Sequence, residues 1–140
     1  MSEAELLLRI VLAAVLGGII GWEREKHHRT AGLRTHMLVA LGSCLFTIIS
    51  LLLLTKLDSY TRVDPTRIAA GVVAGIGFLG AGAILHSKKG IMGLTTATGL
   101  WVVAAIGMAT GFGYPILAGG TAILTVLILF VLEKVERAID

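Results

Sequence analysis

Between Trp22 and His36 the chain reads WEREKHHRTAGLRTH, its densest run of groups able to do chemistry. Glu23 and His27 share one face if the first helix continues through them, and with His28 they offer carboxylate and imidazole ligands for a metal ion. On the same assumption Glu25 and Arg29 form an i,i+4 ion pair. The run lacks a strong ligand spacing, so a solvated loop is preferred, its Arg and Lys side chains touching anionic lipid. No metal ligand set is assigned. A second polar run, KLDSYTRVDPTR, holds Asp58 and Asp64 beside Lys56, Arg62 and Arg67. Asp64-Pro65 suits a helix N-cap followed by proline at the first helical position. Magnesium keeps several waters and takes one or two carboxylates, so a sparse outer cation site is the competing reading.

The third feature is GVVAGIGFLGAG, five glycines in twelve residues at Gly71, Gly75, Gly77, Gly80 and Gly82. Gly75 to Gly80 matches the dinucleotide pattern GxGxxG. That pattern needs a preceding strand and an acidic residue about 20 positions on. No acidic residue lies between Asp64 and Glu133, so nucleotide binding is rejected. Glycines four apart let helices cross closely in lipid. Gly71 and Gly75 have this spacing, as do Gly17 and Gly21, and Gly107 and Gly111. Such a run also suits a helix broken to expose its carbonyls. A packing seam is preferred over that break.

Composition fixes what holds these groups. The chain has 140 residues, 56% hydrophobic and only 15% charged. Residues Thr35–Thr55, Ile68–Ser87 and Gly90–Leu132 hold no Asp, Glu, Lys or Arg. A spanning helix needs about 20 apolar residues. The expectation is an all-α polytopic membrane protein, a bundle of five transmembrane helices. The spans fall at about 6–22, 37–55, 68–85, 95–111 and 116–132. The first and fourth are short, which implies little tilt or local thinning of the bilayer. Thr95 or Thr96 is expected to cap the fourth, and Pro115 to open the fifth. Trp22, Tyr60 and Tyr114 fall near span ends, at headgroup level.

Lys and Arg set the orientation. Arg24, Lys26, Arg29, Arg34, Lys88, Lys89, Lys134 and Arg137 share one side, against Arg9, Lys56, Arg62 and Arg67 on the other. The larger set belongs in the cytoplasm, which puts the N-terminus outside and the C-terminus inside. The acidic start, MSEAELLLR, lacks the positive region of a cleavable signal, so the first span is expected to stay. The net charge of +3 sits beside the spans and does not indicate nucleic acid.

No ionised side chain is expected at the bilayer midplane, where such groups mark proton relays and ion coupling. The polar groups at depth are Ser43, Cys44, Thr47, Thr96, Thr98, Thr110, Thr121 and Thr125. The hydroxyls are expected to bond back to helix carbonyls. The lone cysteine, Cys44, reads as a buried thiol. No nucleophile, base and acid set is visible, so no catalysis is expected.

Three ordered motifs together resemble the MgtC/SapB family of bacterial membrane proteins: Gly21–Ser43, Asp64–Ile84 and Gly93–Gly107. The resemblance covers nearly the whole chain. It implies an inner-membrane bundle of about five spans, linked to growth at low magnesium and, in pathogens, to survival in macrophages. It implies regulation of other membrane proteins, including the ATP synthase, more than transport. The residues carried over are Glu23, Arg24, Glu25, Gly32, Arg34 and Thr35; then Asp64, Pro65, Arg67, Gly75, Gly77, Gly80 and Gly82; then Gly93, Leu94, Thr95, Thr96, Ala97 and Trp101. Gly71 departs from the glutamine of many similar proteins. Longer members append a soluble cytoplasmic domain, and none is expected here. The function expected is non-enzymatic, regulatory or interactive, with a small channel or carrier for magnesium or another cation as the alternative. No cofactor is expected, magnesium standing only as ligand or substrate. The partners expected are the lipid bilayer, a second copy of the chain and other inner-membrane proteins. Glu23 or Glu25 is expected to pair near Thr95 and Thr96, at the start of the fourth helix.

Overall fold

The structure, a computed structural model, describes residues 2–56, 64, 66–87 and 90–139. Asp58, Tyr60, Arg62, Pro65, Lys88 and Lys89, used in the sequence reading, lie outside the described residues. Five helices carry the fold: α1 (Glu3–Lys26), α2 (Leu33–Lys56), α3 (Thr66–Ala83), α4 (Leu94–Phe112) and α5 (Pro115–Ile139). All five are long and apolar enough to cross a membrane.

Their ends follow local chemistry. The Ser2 hydroxyl accepts from the Glu5 amide at 3.2 Å and opens α1. Glu3 and Glu5 in its first turn, and Arg24 and Lys26 in its last, complement the helix dipole. α1 has 24 residues, about 36 Å at 1.5 Å per residue. It is therefore not the short span expected, because its polar last turn stays helical. α4 closes on Gly113, whose φ of 88° lets its amide reach back to Thr110. Pro115 opens α5 as expected.

Two expectations at the α3–α4 connection are corrected. The third helix stops at Ala83, and Leu85 instead starts a strand. β1 (Leu85–Ser87) pairs antiparallel with β2 (Gly90–Met92), Leu85 facing Met92. The cap of α4 is Gly93, not a threonine. Its φ of 89° turns the chain sharply, and a Cβ there would run into the Ala83 carbonyl. Thr95 and Thr96 already lie inside the helix.

α1, α2 and α4 form the centre. Gly17 sits beside His36 and Ala40, and Gly21 beside Leu33, so α1 and α2 are antiparallel. Gly99, Gly107 and Gly111 meet His36, Ala40 and Cys44 in turn, so α2 and α4 are parallel. The buried core joins Ala13, Leu16 and Ile20 to Ala40, Cys44, Ile48, Val103 and Ile106. Half of the α4 span is buried, against 11% for α3 and for α5. Thr47, Thr98, Thr110 and Thr125 bond back to Ser43, Thr95, Ile106 and Thr121 carbonyls, as expected of hydroxyls in apolar helices.

Candidate functional site

The charged end of α1 meets α5. Glu23 and Arg24 lie in the last turn of α1, and His27 closes that helix. Arg24 donates to Glu23 through Nε at 2.6 Å and Nη2 at 3.0 Å. The Arg24 side chain is only 2% exposed, so these bonds replace the water it has lost. Its Nη2 also lies 3.8 Å from Glu133 Oε2. His27 Nδ1 sits 2.8 Å from the Glu23 carbonyl and 3.1 Å from the Glu23 carboxylate, and Nε2 lies 3.7 Å from Glu133. Arg29 reaches Glu133 at 3.3 Å. The result is a five-residue network tying α1 and the loop after it to α5.

Ligand atoms of Glu23, His27 and Glu133 all lie within 4.8 Å of one another, close enough for one cation. The third ligand is not the His28 weighed from sequence. Arg24 and Arg29 already engage the two carboxylates, so the chemistry on show is ion pairing between helices. Glu133 was missed by sequence reasoning. Its one signal is position, as the first charge after an uncharged run of forty-three residues.

Glu25 has a different task. Its Oε2 accepts from the Leu33 amide at 2.7 Å, at the start of α2. A Cβ on Gly32 would stand 2.7 Å from that same oxygen, so the glycine makes room for the contact. The expected pairing of Glu23 or Glu25 near Thr95 and Thr96 is thus corrected. A carboxylate does serve a helix N-terminus, but that of α2, which is nearer along the chain. The expected Glu25–Arg29 pair is also absent among the described contacts. α1 ends at Lys26, before Arg29 can face Glu25.

His36, one helical turn into α2, is fully buried among α1, α2 and α4. Nδ1 donates to the Gly32 carbonyl at 2.8 Å, which leaves Nε2 as an acceptor with no hydrogen-bond partner among the described residues. Thr96 is buried as well, while Thr95 is exposed.

The remaining candidates lie elsewhere. Asp64 caps α3: its Oδ1 accepts from the Thr66 amide at 2.8 Å and the Thr66 hydroxyl at 2.7 Å. These bonds hold its pKa below the usual carboxylate value. α3 is an unbroken helix through Gly71, Gly75, Gly77, Gly80 and Gly82, so the broken-helix reading is corrected. Gly80 alone of the five meets a neighbour, Ala97 of α4, at 3.6 Å from a built Cβ. Arg34, Thr35, Arg67, Gly71 and Gly75 line a cleft of about 810 Å³ between α2 and α3.

The model of the MgtC family matches residues 10–138. This chain belongs to the MgtC family. Among its relatives is a protein of Escherichia coli (strain K12) bearing the name "Putative magnesium transporter YhiD". It is 47% identical over 133 residues, 94% of this chain and 62% of that protein. Protein MgtC of Brucella abortus (strain 2308) is 47% identical over 119 residues, 85% of this chain and 46% of that one. Protein SapB of Bacillus subtilis (strain 168) is 37% identical over 115 residues, 80% and 50% of the two chains. This MgtC-family chain thus spans about half to three-fifths of the length of these relatives. No solved structure matches it. Membership and five apolar helices together make it a multi-pass membrane protein.

Proposed function

We propose that the chain acts without catalysis in the bacterial inner membrane, by contact with other membrane proteins or a second copy of itself, in a process tied to magnesium limitation. The observation that carries this reading is the closed centre. α1, α2 and α4 approach so closely that Gly17, Gly21, Gly107 and Gly111 have no room for a Cβ, which closes the seams at these positions. Two further facts agree. α3 is unbroken and exposes no ring of carbonyls. The helices bear no ionised side chain from Thr35 to Thr55, Ile68 to Ala83 or Leu94 to Leu132, where coupling groups of a pump would sit. α3 and α5 meanwhile keep most of their surface available to partners. The magnesium link comes from the family and from the name of the Escherichia coli relative.

That name also favours a second reading, a carrier or channel for magnesium. Purified protein in liposomes loaded with a magnesium-sensing dye separates the two. The interaction reading expects dye signals equal to those of protein-free vesicles. Protein-dependent magnesium entry would replace it with the transport reading, and loss of that entry in Asp64→Asn would put Asp64 on the path.

A further inference from the structure

The cleft between α2 and α3 is walled by apolar side chains, among them Leu38, Phe46, Val72, Ile76 and Leu79. Along α2 it runs from Arg34 to Phe46, about 18 Å at 1.5 Å per residue. That is close to one leaflet, half of a hydrocarbon core about 30 Å thick. The two helices run in opposite directions: Ala83 at the end of α3 lies against Gly93 and Gly80 against Ala97, so α3 is antiparallel to α4, and α4 is parallel to α2. Arg34, in the first turn of α2, therefore marks one end of the cleft, and Arg67, in the first turn of α3, marks the other.

We propose that this cleft holds one anionic phospholipid, its phosphate at Arg34 and an acyl chain along α2 and α3. Charge complementarity is the first argument. Arg9, Arg24 and Arg29 each have a carboxylate partner. Arg34 and Arg67 have none among the described residues, although both line an apolar groove where an unmatched cation favours an anion. Space is the second. A further hollow of about 450 Å³ shares Thr35 and Leu79 with the cleft and adds Thr30, so hydroxyls and room for a headgroup lie at the Arg34 end. Basic pockets between transmembrane helices commonly take anionic headgroups. The inference is independent of the proposed function, since a scaffold and a carrier would each hold the lipid alike.

Native mass spectrometry of the full chain, stripped of lipid and titrated with dioleoyl phosphatidylglycerol or dioleoyl phosphatidylcholine, tests it. The first phosphatidylglycerol is expected to bind about fivefold more tightly than phosphatidylcholine, the effect of one basic side chain at an anionic headgroup. Arg34→Gln should bring the two lipids level, and Arg67→Gln should leave the preference in place. Gly75→Leu, at a site where a Cβ meets nothing, should fold normally and weaken both lipids by filling the groove. Equal binding of the two lipids by the natural sequence would overturn the proposal. So would a preference that survives Arg34→Gln, undiminished binding in Gly75→Leu, or a lipid-free dimer that excludes phosphatidylglycerol.

Discussion

Two sets of glycines in this molecule share a spacing and do opposite things. Gly17 and Gly21 on α1, and Gly107 and Gly111 on α4, press against the backbone and Cβ atoms of α2. A Cβ on Gly107 would overlap the Ala40 carbonyl, and one on Gly111 would stand 2.7 Å from the Cys44 carbonyl. Gly71, Gly75, Gly77 and Gly82 on α3 face nothing within 4 Å. The small-xxx-small pattern therefore permits close approach without saying whether a neighbour takes it up. What differs is position. α4 has α1 and α2 on either side, while α3 touches the bundle chiefly through Ile76 and Gly80.

The contrast can be broken by adding methyl groups. Gly107→Ala should have the largest effect, because backbone on both helices must part. A loss of about 2–3 kcal/mol, the upper range for overpacking, is expected. Thermal unfolding in detergent, followed by circular dichroism, would read it. Gly17→Ala should cost somewhat less, about 1–2 kcal/mol. Its Cβ would stand 2.6 Å from the His36 carbonyl and 2.7 Å from the Ala40 Cβ, both fixed to the α2 backbone, but the overlap is shallower than at Gly107. Gly77→Ala should go the other way in the same assay. With nothing to strike, it gains helix propensity and should stabilise α3 by up to about 1 kcal/mol. A destabilising Gly77→Ala would show that the α3 face is covered in the membrane. The smallest effect is expected from acid at Asp64. Its native pKa lies below the unfolded value near 3.9. Its capping contribution is therefore complete above that value and is lost as pH falls through the lower native one. The Thr66 amide resonance should titrate with a midpoint under 3.9, and a midpoint at or above it would remove the cap from the account.

The number and placing of the helices were legible because apolar length is a strong signal. The caps at Asp64 and the opening at Pro115 were legible because proline and aspartate act locally. The β-hairpin after α3 was not, since Leu85 continues an apolar run; among the described residues the positive φ of Gly90 and Gly93 marks the departure from helix. The charge network was half legible. Glu23 and His27 are four apart on one helix and were grouped from spacing alone. Glu133 lies about 110 residues further along the chain, and no local pattern connects them. Glu25 was read as a carboxylate seeking a helix start, and the principle held. The choice between α2 and α4 depended on how the chain turns back between His27 and Ala31, with His28 at a φ of 52°, which is a tertiary fact.

The parallel pairing of α2 with α4 has a consequence for how the protein is made. α1 and α2 can close on each other as soon as residue 56 has left the ribosome. Gly107 and Gly111 of α4 reach their own stretch of α2, from Ala40 to Thr47, only after more than fifty further residues, which include all of α3. During that interval the groove that will receive Gly107 and Gly111 stands empty in the bilayer, and α3 is the one helix at hand. A large side chain at Gly107 would thus do its harm late, leaving a finished α1–α2 hairpin whose vacancy another protein's helix, or a quality-control protease, could find first.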